Sequence, residues 1–393
     1  MHMKGSSKKG LGATIKREMH RLYSRPIYLF CMIIAPLFCT IFFTTLMGEG
    51  LPSKLPIGVV DLDQTSTTRK ILRNLNSFQQ TDIKYQFTSF QEARKAMQRN
   101  EIYGFFYIPP GLTEDAQSQR QPKMSFYTNN SFMIAGSLAF KDMKMMGELA
   151  SGSVGLSVLL AKGLTDEQAE AISMPISIDT RPLNNPWLNY SVYLSNTILP
   201  GILALMILLV TVFSVGVEMK ENSAHEWLKT GNNSILTSLL GKLIPQTAIW
   251  FLVGSFIVIY LYGYLAFPCN GGIGNMFFAM MMLIFASQGL ALFFFGVVPI
   301  FRLALSGASL WGVLSFSITG FSFPVMAMDP TLQVAANLFP LRHYFLIYVN
   351  SALNGYPIGY AWINYLALFA FMLLPLLVLG RIKKALIYFK HMD

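Results

Sequence analysis

The chain has 393 residues, 53% of them hydrophobic and 13% charged, with a formal net charge of +10. Soluble globular chains hold about 25% charged residues, so the composition excludes an ordinary water-surrounded domain and points to lipid as part of the solvent. The excess of Lys and Arg does not call for a nucleic-acid partner, and none is expected, because membrane proteins hold such residues on their cytoplasmic side.

In chain order, Leu11 to Arg25 sets Leu11, Ile15, Met19 and Leu22 at helical spacing among Lys16, Arg17, Arg21 and Arg25. That pattern predicts an amphipathic helix lying in the interface, basic side toward anionic headgroups; the alternative is a basic flank that only orients the span after it. Charge-free runs follow at Pro26 to Met47, Trp187 to Val217, Leu243 to Phe267, Asn275 to Phe301, Leu303 to Met328 and Pro357 to Gly380. A crossing helix needs about 20 apolar residues, and backbone groups in hydrocarbon must bond within their own segment. Six transmembrane helices are therefore expected. The first run exceeds the apolar core of a signal peptide, and Leu46 to Gly50 offers no small-residue cleavage site, so it reads as a retained anchor.

Six spans put both termini on one side. The short segments on that side carry 15 Lys and Arg, against Arg342 alone in the short loops opposite. Short loops follow the positive-inside tendency, so both termini are expected in the cytoplasm and the long insert after the first span outside it. The expected organisation is a cytoplasmic N-terminus over 1–25, a first span over 26–47, and an extracytoplasmic domain over 48–186. Five further spans occupy 187–380, with a cytoplasmic segment 218–242 and a re-entrant segment 329–350, and a cytoplasmic tail covers 381–393. The location is a cytoplasmic (inner) membrane.

Within the insert the pattern changes to short apolar stretches separated by helix-period ones. Strands are predicted at Ile57 to Val60, Ile83 to Phe87, Ile102 to Ile108 and Lys123 to Tyr127, with helices from about Thr65, at Phe90 to Gln98 and over Ser131 to Lys162, and a returning strand at Ser177 to Thr180. This alternation implies a small α/β domain with a parallel or mixed sheet. The fold class is thus an α-helical polytopic membrane protein with six transmembrane helices and an inserted α/β extracytoplasmic domain.

Val59-Val60-Asp61-Leu62-Asp63-Gln64-Thr65 ends a strand in Asp-x-Asp-x-Thr, a form in which one carboxylate can attack phosphorus and the other move a proton. The same letters serve equally as a helix cap at Asp63 or Thr65. No phosphate loop, His-Glu-x-x-His or Gly-x-Ser-x-Gly occurs, and the five histidines lack metal-ligand spacing. No catalytic residue, metal site or cofactor bound by this chain is expected. Inside the spans the polar candidates are Gln246, Gln288 and Asn364. Each can bond a neighbouring helix or touch a transported molecule. With no ionisable group in mid-span, ion-coupled transport is disfavoured and an outside energy source favoured.

Two stretches carry a family resemblance. Glu218-Met219-Lys220-Glu221-Asn222-Ser223-Ala224-His225-Glu226-Trp227-Leu228-Lys229-Thr230, followed by Gly241-Lys242-Leu243-Ile244-Pro245, resembles the cytoplasmic loop of the ABC-2 type transporter permeases. Asn222-Ser223 stands where Gly-Thr is common, and Thr230-Gly231 where Thr-Pro is common. Gly320 to Met326, then Pro330 and Leu338 to Tyr344, is similar to the family's terminal signature, with Pro324, Pro330 and Pro340 marking short helices that dip into the outer leaflet. The insert is similar to that of the drug-efflux-like branch.

The resemblance implies the permease subunit of an ATP-binding cassette exporter, moving a drug-like, lipophilic or envelope substrate outward. Glu218, Glu221, His225, Glu226, Trp227 and Leu228 would couple it to a separate cytoplasmic ATPase that binds the ATP and magnesium. A second permease chain, identical or paralogous, and membrane lipid are the other implied partners, with room for a periplasmic adaptor. The rival reading is a membrane-anchored extracytoplasmic sensor or assembly platform without transport.

Overall fold

The computed structural model describes residues 9–118, 120–173, 179, 181, 183–186 and 188–388. They divide into two compact units: an inserted unit between Glu49 and Arg181, and a helical unit formed by the chain before and after it.

In the helical unit six helices are long and apolar enough to cross a membrane: Pro26–Leu46, Tyr190–Lys220, Ile235–Tyr264, Ile273–Val297, Phe301–Ile318 and Ile358–Leu377, here spans 1 to 6. Spans 2 and 4 are mostly buried, whereas spans 1, 5 and 6 keep most of their surface outward. An apolar helix has no hydrophobic reason to hide in lipid, so close packing decides which helices become central. Small residues supply it. A Cβ on Gly289 of span 4 would lie 2.3 Å from the Phe371 carbonyl oxygen of span 6, so only glycine lets these helices meet there.

Three of the predicted spans differ in extent. Span 3 begins at Ile235, which places Lys242 inside the helix. Span 5 ends at Ile318, and the chain then runs through short helices at Val325–Ala327, Pro330–Ala336 and Pro340–Tyr348. Span 6 changes winding at Leu374–Leu377 around Pro375, and a closing helix, Leu379–Tyr388, follows. Its Ile382 and Leu386 join a core with Val212, Val215 and Phe295.

The inserted unit is a four-stranded sheet in the order β2 (Thr81–Gln86), β1 (Leu55–Asp61), β3 (Gly104–Ile108), β4 (Ser125–Thr128). β1 pairs in parallel with both β2 and β3, and β4 runs antiparallel to β3. Successive strand residues face opposite sides, so Ile57, Val59 and Phe106 pack with Leu75, Met143 and Met146 on one face. Val60 and Phe105 pack with Ala93 and Ala96 on the other. Covering both faces explains the continuous apolar letters of β1. A 29-residue helix, Met133–Ala161, lies on the first face. The strand expected over Ser177 to Thr180 lies, Asp179 apart, outside the described residues.

Candidate functional site

Arg17, Arg21 and Arg25 recur every fourth residue, and Glu18 sits one position around from Arg17, so the N-terminal helix Leu11–Ser24 carries a charged stripe. That stripe faces protein. Glu18 and Arg21 are buried with Thr14 and Leu22, while Leu11, Met19 and Tyr23 are exposed. Of the basic side expected to meet headgroups, Arg17, Arg21 and Arg25 are thus turned toward protein while Lys16 is exposed, because the partners Glu218 and Glu221 wait about 200 residues downstream. The close approach depends on Gly241 of span 3, where a Cβ would come within 2.4 Å of Thr14 Cβ.

Around that contact, at the end of the helical unit where span 2 finishes and span 3 begins, four cations and three carboxylates interlock. Glu218 Oε1 accepts from Arg17 Nη1 at 2.8 Å, from Lys242 Nζ at 2.9 Å and from Arg21. Its Oε2 accepts from Arg17 Nη2 at 2.9 Å and from Ser223 Oγ at 2.6 Å. Lys242 Nζ also donates to Glu18 Oε2 at 2.8 Å, and Gln246 Nε2 donates to Glu18 Oε1 at 2.8 Å. Toward the outside, Arg21 and Arg25 both donate to Glu221. Lys242 and Glu218 are 0% exposed. Charges this dry are tolerated only when paired and hydrogen-bonded, and here both oxygens of Glu218 and of Glu18 accept bonds and Lys242 meets two carboxylates. At the half-exposed edge, the hydrogen bond from Arg25, and then that from Arg21, hold the Glu221 carboxyl below the usual carboxylate range.

Lys242 Nζ stands 4.8 Å from the ring centroid of Trp227, a cation–π contact in a desolvated place. Trp227 belongs to the short connecting helix Ala224–Thr230 between spans 2 and 3. Trp227 and Leu228 are buried beside Val215, Met219 and Ile382. His225, Glu226 and Lys229, on the opposite side, are exposed. One face of this helix is therefore locked to the spans and the charge cluster, and the other is free.

Comparison with family models matches residues 26–381 to the ABC-2 family transporter protein model. The chain belongs to the ABC-2 transporter family. It is the multi-pass membrane component, the permease, of an ABC transporter. Comparison with curated proteins finds none that matches. The match includes Glu218, Trp227 and Lys242, whereas the N-terminal helix that supplies their partners precedes it.

The remaining sequence candidates of the permease are scattered. Gln246 joins the cluster through Glu18. Gln288 Oε1 accepts from Thr247 Oγ1 at 2.8 Å, bonding span 4 to span 3. Asn364 Oδ1 lies 3.1 Å from His343 Nδ1, bonding span 6 to the helix Pro340–Tyr348. Each amide is thus held by another helix, while the buried atoms Gln246 Oε1 and Gln288 Nε2 have no partner among the described residues. Pro330 and Pro340 each occupy the first turn of a short helix, where a missing N–H costs nothing, and Pro324 precedes the turn Val325–Ala327.

In the insert, Asp61 Oδ2 accepts from Thr68 Oγ1 at 2.8 Å and Oδ1 from the backbone of Asp63 and Gln64. Thr65 caps the helix Ser66–Leu75 through a reciprocal capping box with Thr68. Slight burial pushes Asp63 up, but hydrogen bonds from Thr113 and Thr65 outweigh it and hold the carboxyl low. The Asp-x-Asp-x-Thr letters here build a strand-to-helix turn.

Read from sequence alone, Glu18 is passed over, Arg17 and Arg21 are sent to headgroups, and Ser223 and Lys242, though they lie in the stretches that carry the resemblance, are given no role of their own. The available signal was Glu218 itself, a carboxylate closing an apolar run, which burial obliges to find cations elsewhere in the chain.

Proposed function

We propose that this permease moves its cargo outward under the drive of a separate ATP-binding subunit docked on the free face of the connecting helix, at His225 and Glu226. On this reading the charge cluster and the connecting helix lie in the cytoplasm and the insert on the outer side, as the distribution of Lys and Arg favours. ATP and magnesium bind the partner subunit. A second permease chain completes the pathway, and the cargo is drug-like, lipophilic or an envelope component. Residues on the free face meet the ATPase. Trp227 and Leu228, on the locked face, pass its displacement to span 2 and span 3, because interlocked side chains shift as blocks between discrete arrangements. Glu218, Glu221 and Lys242 bind the N-terminal helix into that block.

The observation that carries the proposal is the two-faced connecting helix: Trp227 is 1% exposed and lies under Lys242, with His225 and Glu226 open beside it. Exposed polar residues on so short a helix have no packing duty, so replacing them tests docking without threatening the fold. The variant His225→Ala/Glu226→Ala should insert normally and lose on the order of tenfold in affinity for the ATPase subunit, the scale of a small interface hot spot, measured by quantitative co-purification. Undiminished capture of that subunit would refute the docking face.

A further inference from the structure

The insert holds a groove of about 970 Å³ between β4, the segment leading into it and the C-terminal half of the helix Met133–Ala161. Its floor is apolar, formed by Leu112, Phe126, Ala150, Val154, Val158 and Leu159. Its rim is basic: Arg120, Lys123, Lys144 and Lys162 line it, against Glu148 as the one carboxylate. Arg120 lies 3.3 Å from Asp115 and Lys144 3.8 Å from Glu148, both pairs well exposed, and such pairs hold weakly. Lys123 and Lys162 have no carboxylate within reach among the described residues.

The helix wall carries two glycines. Gly147 and Gly155 both line the groove, and a Cβ at either would meet nothing within 4 Å. Glycine inside a helix costs about 1 kcal/mol relative to alanine; some helical glycines of this chain make room for a neighbour, as Gly241 does for Thr14, and others, such as Gly12, Gly274 and Gly307, face open space. At Gly147 and Gly155 no protein neighbour is there. What these two have in common is their place on the groove wall, where a larger side chain would project into the groove.

From these two observations we infer that the groove is a binding site for an anionic amphiphile, with a hydrocarbon chain along the glycine-cleared floor and an acidic head at Lys123 and Lys162. The floor offers an alkyl chain burial at about 25 cal/mol per Å², and the rim selects the head by sign. A volume of this size suits a lipid-like molecule. The ligand rests on the insert's own chemistry and does not depend on where the ATPase docks.

The test uses the full-length permease in nanodiscs of zwitterionic lipid, with a photoreactive long-chain fatty acid as the probe and its methyl ester as the uncharged control. The fatty acid should label peptides of the groove, Arg120 to Phe126 or Gly147 to Lys162, and the ester should label them on the order of tenfold less. Lys123→Glu/Lys162→Glu should cut labelling by a similar factor. Gly147→Leu/Gly155→Leu, which introduces side chains into open space and so keeps the fold, should abolish it. Equal labelling by acid and ester, labelling unchanged in the glycine variant, or a cross-link between two copies of this helix that blocks the probe would each overturn the proposal.

Discussion

The charge cluster beside the connecting helix and the rim of the insert's groove use the same residue types to opposite ends. In the cluster Lys242 and Glu218 are fully buried, and each has two or more opposite charges within 3 Å. On the rim Lys123 and Lys162 are exposed. Burial makes the difference. A dry ion cannot be left alone without a penalty of several kcal/mol, so the cluster behaves as a fastener. A wet one is already satisfied by water, and remains available to a ligand.

The sharpest way to break this contrast is to remove one cation from each region. Lys242→Met leaves Glu18 with only Gln246 and should destabilise the permease by about 3–5 kcal/mol, read as early loss of the monodisperse peak in a thermal gel-filtration assay. Lys123→Met in the same assay should stay within about 0.5 kcal/mol of the parent. The double variant Lys242→Met/Glu18→Gln removes the opposing charges together and should recover part of the loss. If Lys242→Met were as mild as Lys123→Met, the cluster would not be a fastener.

A smaller effect sharpens the boundary between the two regimes, because Glu221 sits at the cluster's half-exposed edge. Its folded pKa is depressed, chiefly by Arg25 and next by Arg21, so the unfolded chain takes up a proton first as pH falls. The stability it contributes is complete above the ordinary carboxylate range and disappears as pH drops below that range toward the lower folded value. Thermal-stability profiles of the parent and of Glu221→Gln should therefore differ at neutral pH, by less than about 1 kcal/mol given its exposure, and converge in acid. Parallel profiles down to acid pH would show that Glu221 is not held by the arginines.

How much was legible follows from where each signal resides. The spans and the strands of the insert are local patterns: Val59 and Val60 lie in an apolar run ended by Asp61, and its shortness and β-branched letters mark it as strand. The cluster is not local, for Glu18 and Lys242 are 224 positions apart and each, read in its own window, is an ordinary flanking charge. The N-terminal helix was foreseen from spacing, but spacing identifies faces without saying which meets protein. Leu11 and Met19 fell on the outer face because Glu218 claimed the arginines. Likewise the closing helix follows charge-rich letters, and only the packing of Ile382 and Leu386 against span 2 and span 4 residues reveals it as part of the core.

The central claim, a connecting helix whose free face meets an ATPase across the membrane from the insert, is tested most directly by paired thiols. With Cys31, Cys39 and Cys269 replaced by alanine, single cysteines are introduced as Glu226→Cys and Lys123→Cys in cells that also produce the ATP-binding subunit. The thiol at position 226 should resist a membrane-impermeant reagent and cross-link to that subunit, while the thiol at position 123 is labelled from outside. Labelling at 226 from outside, or a cross-link to the ATPase from 123, would contradict the account.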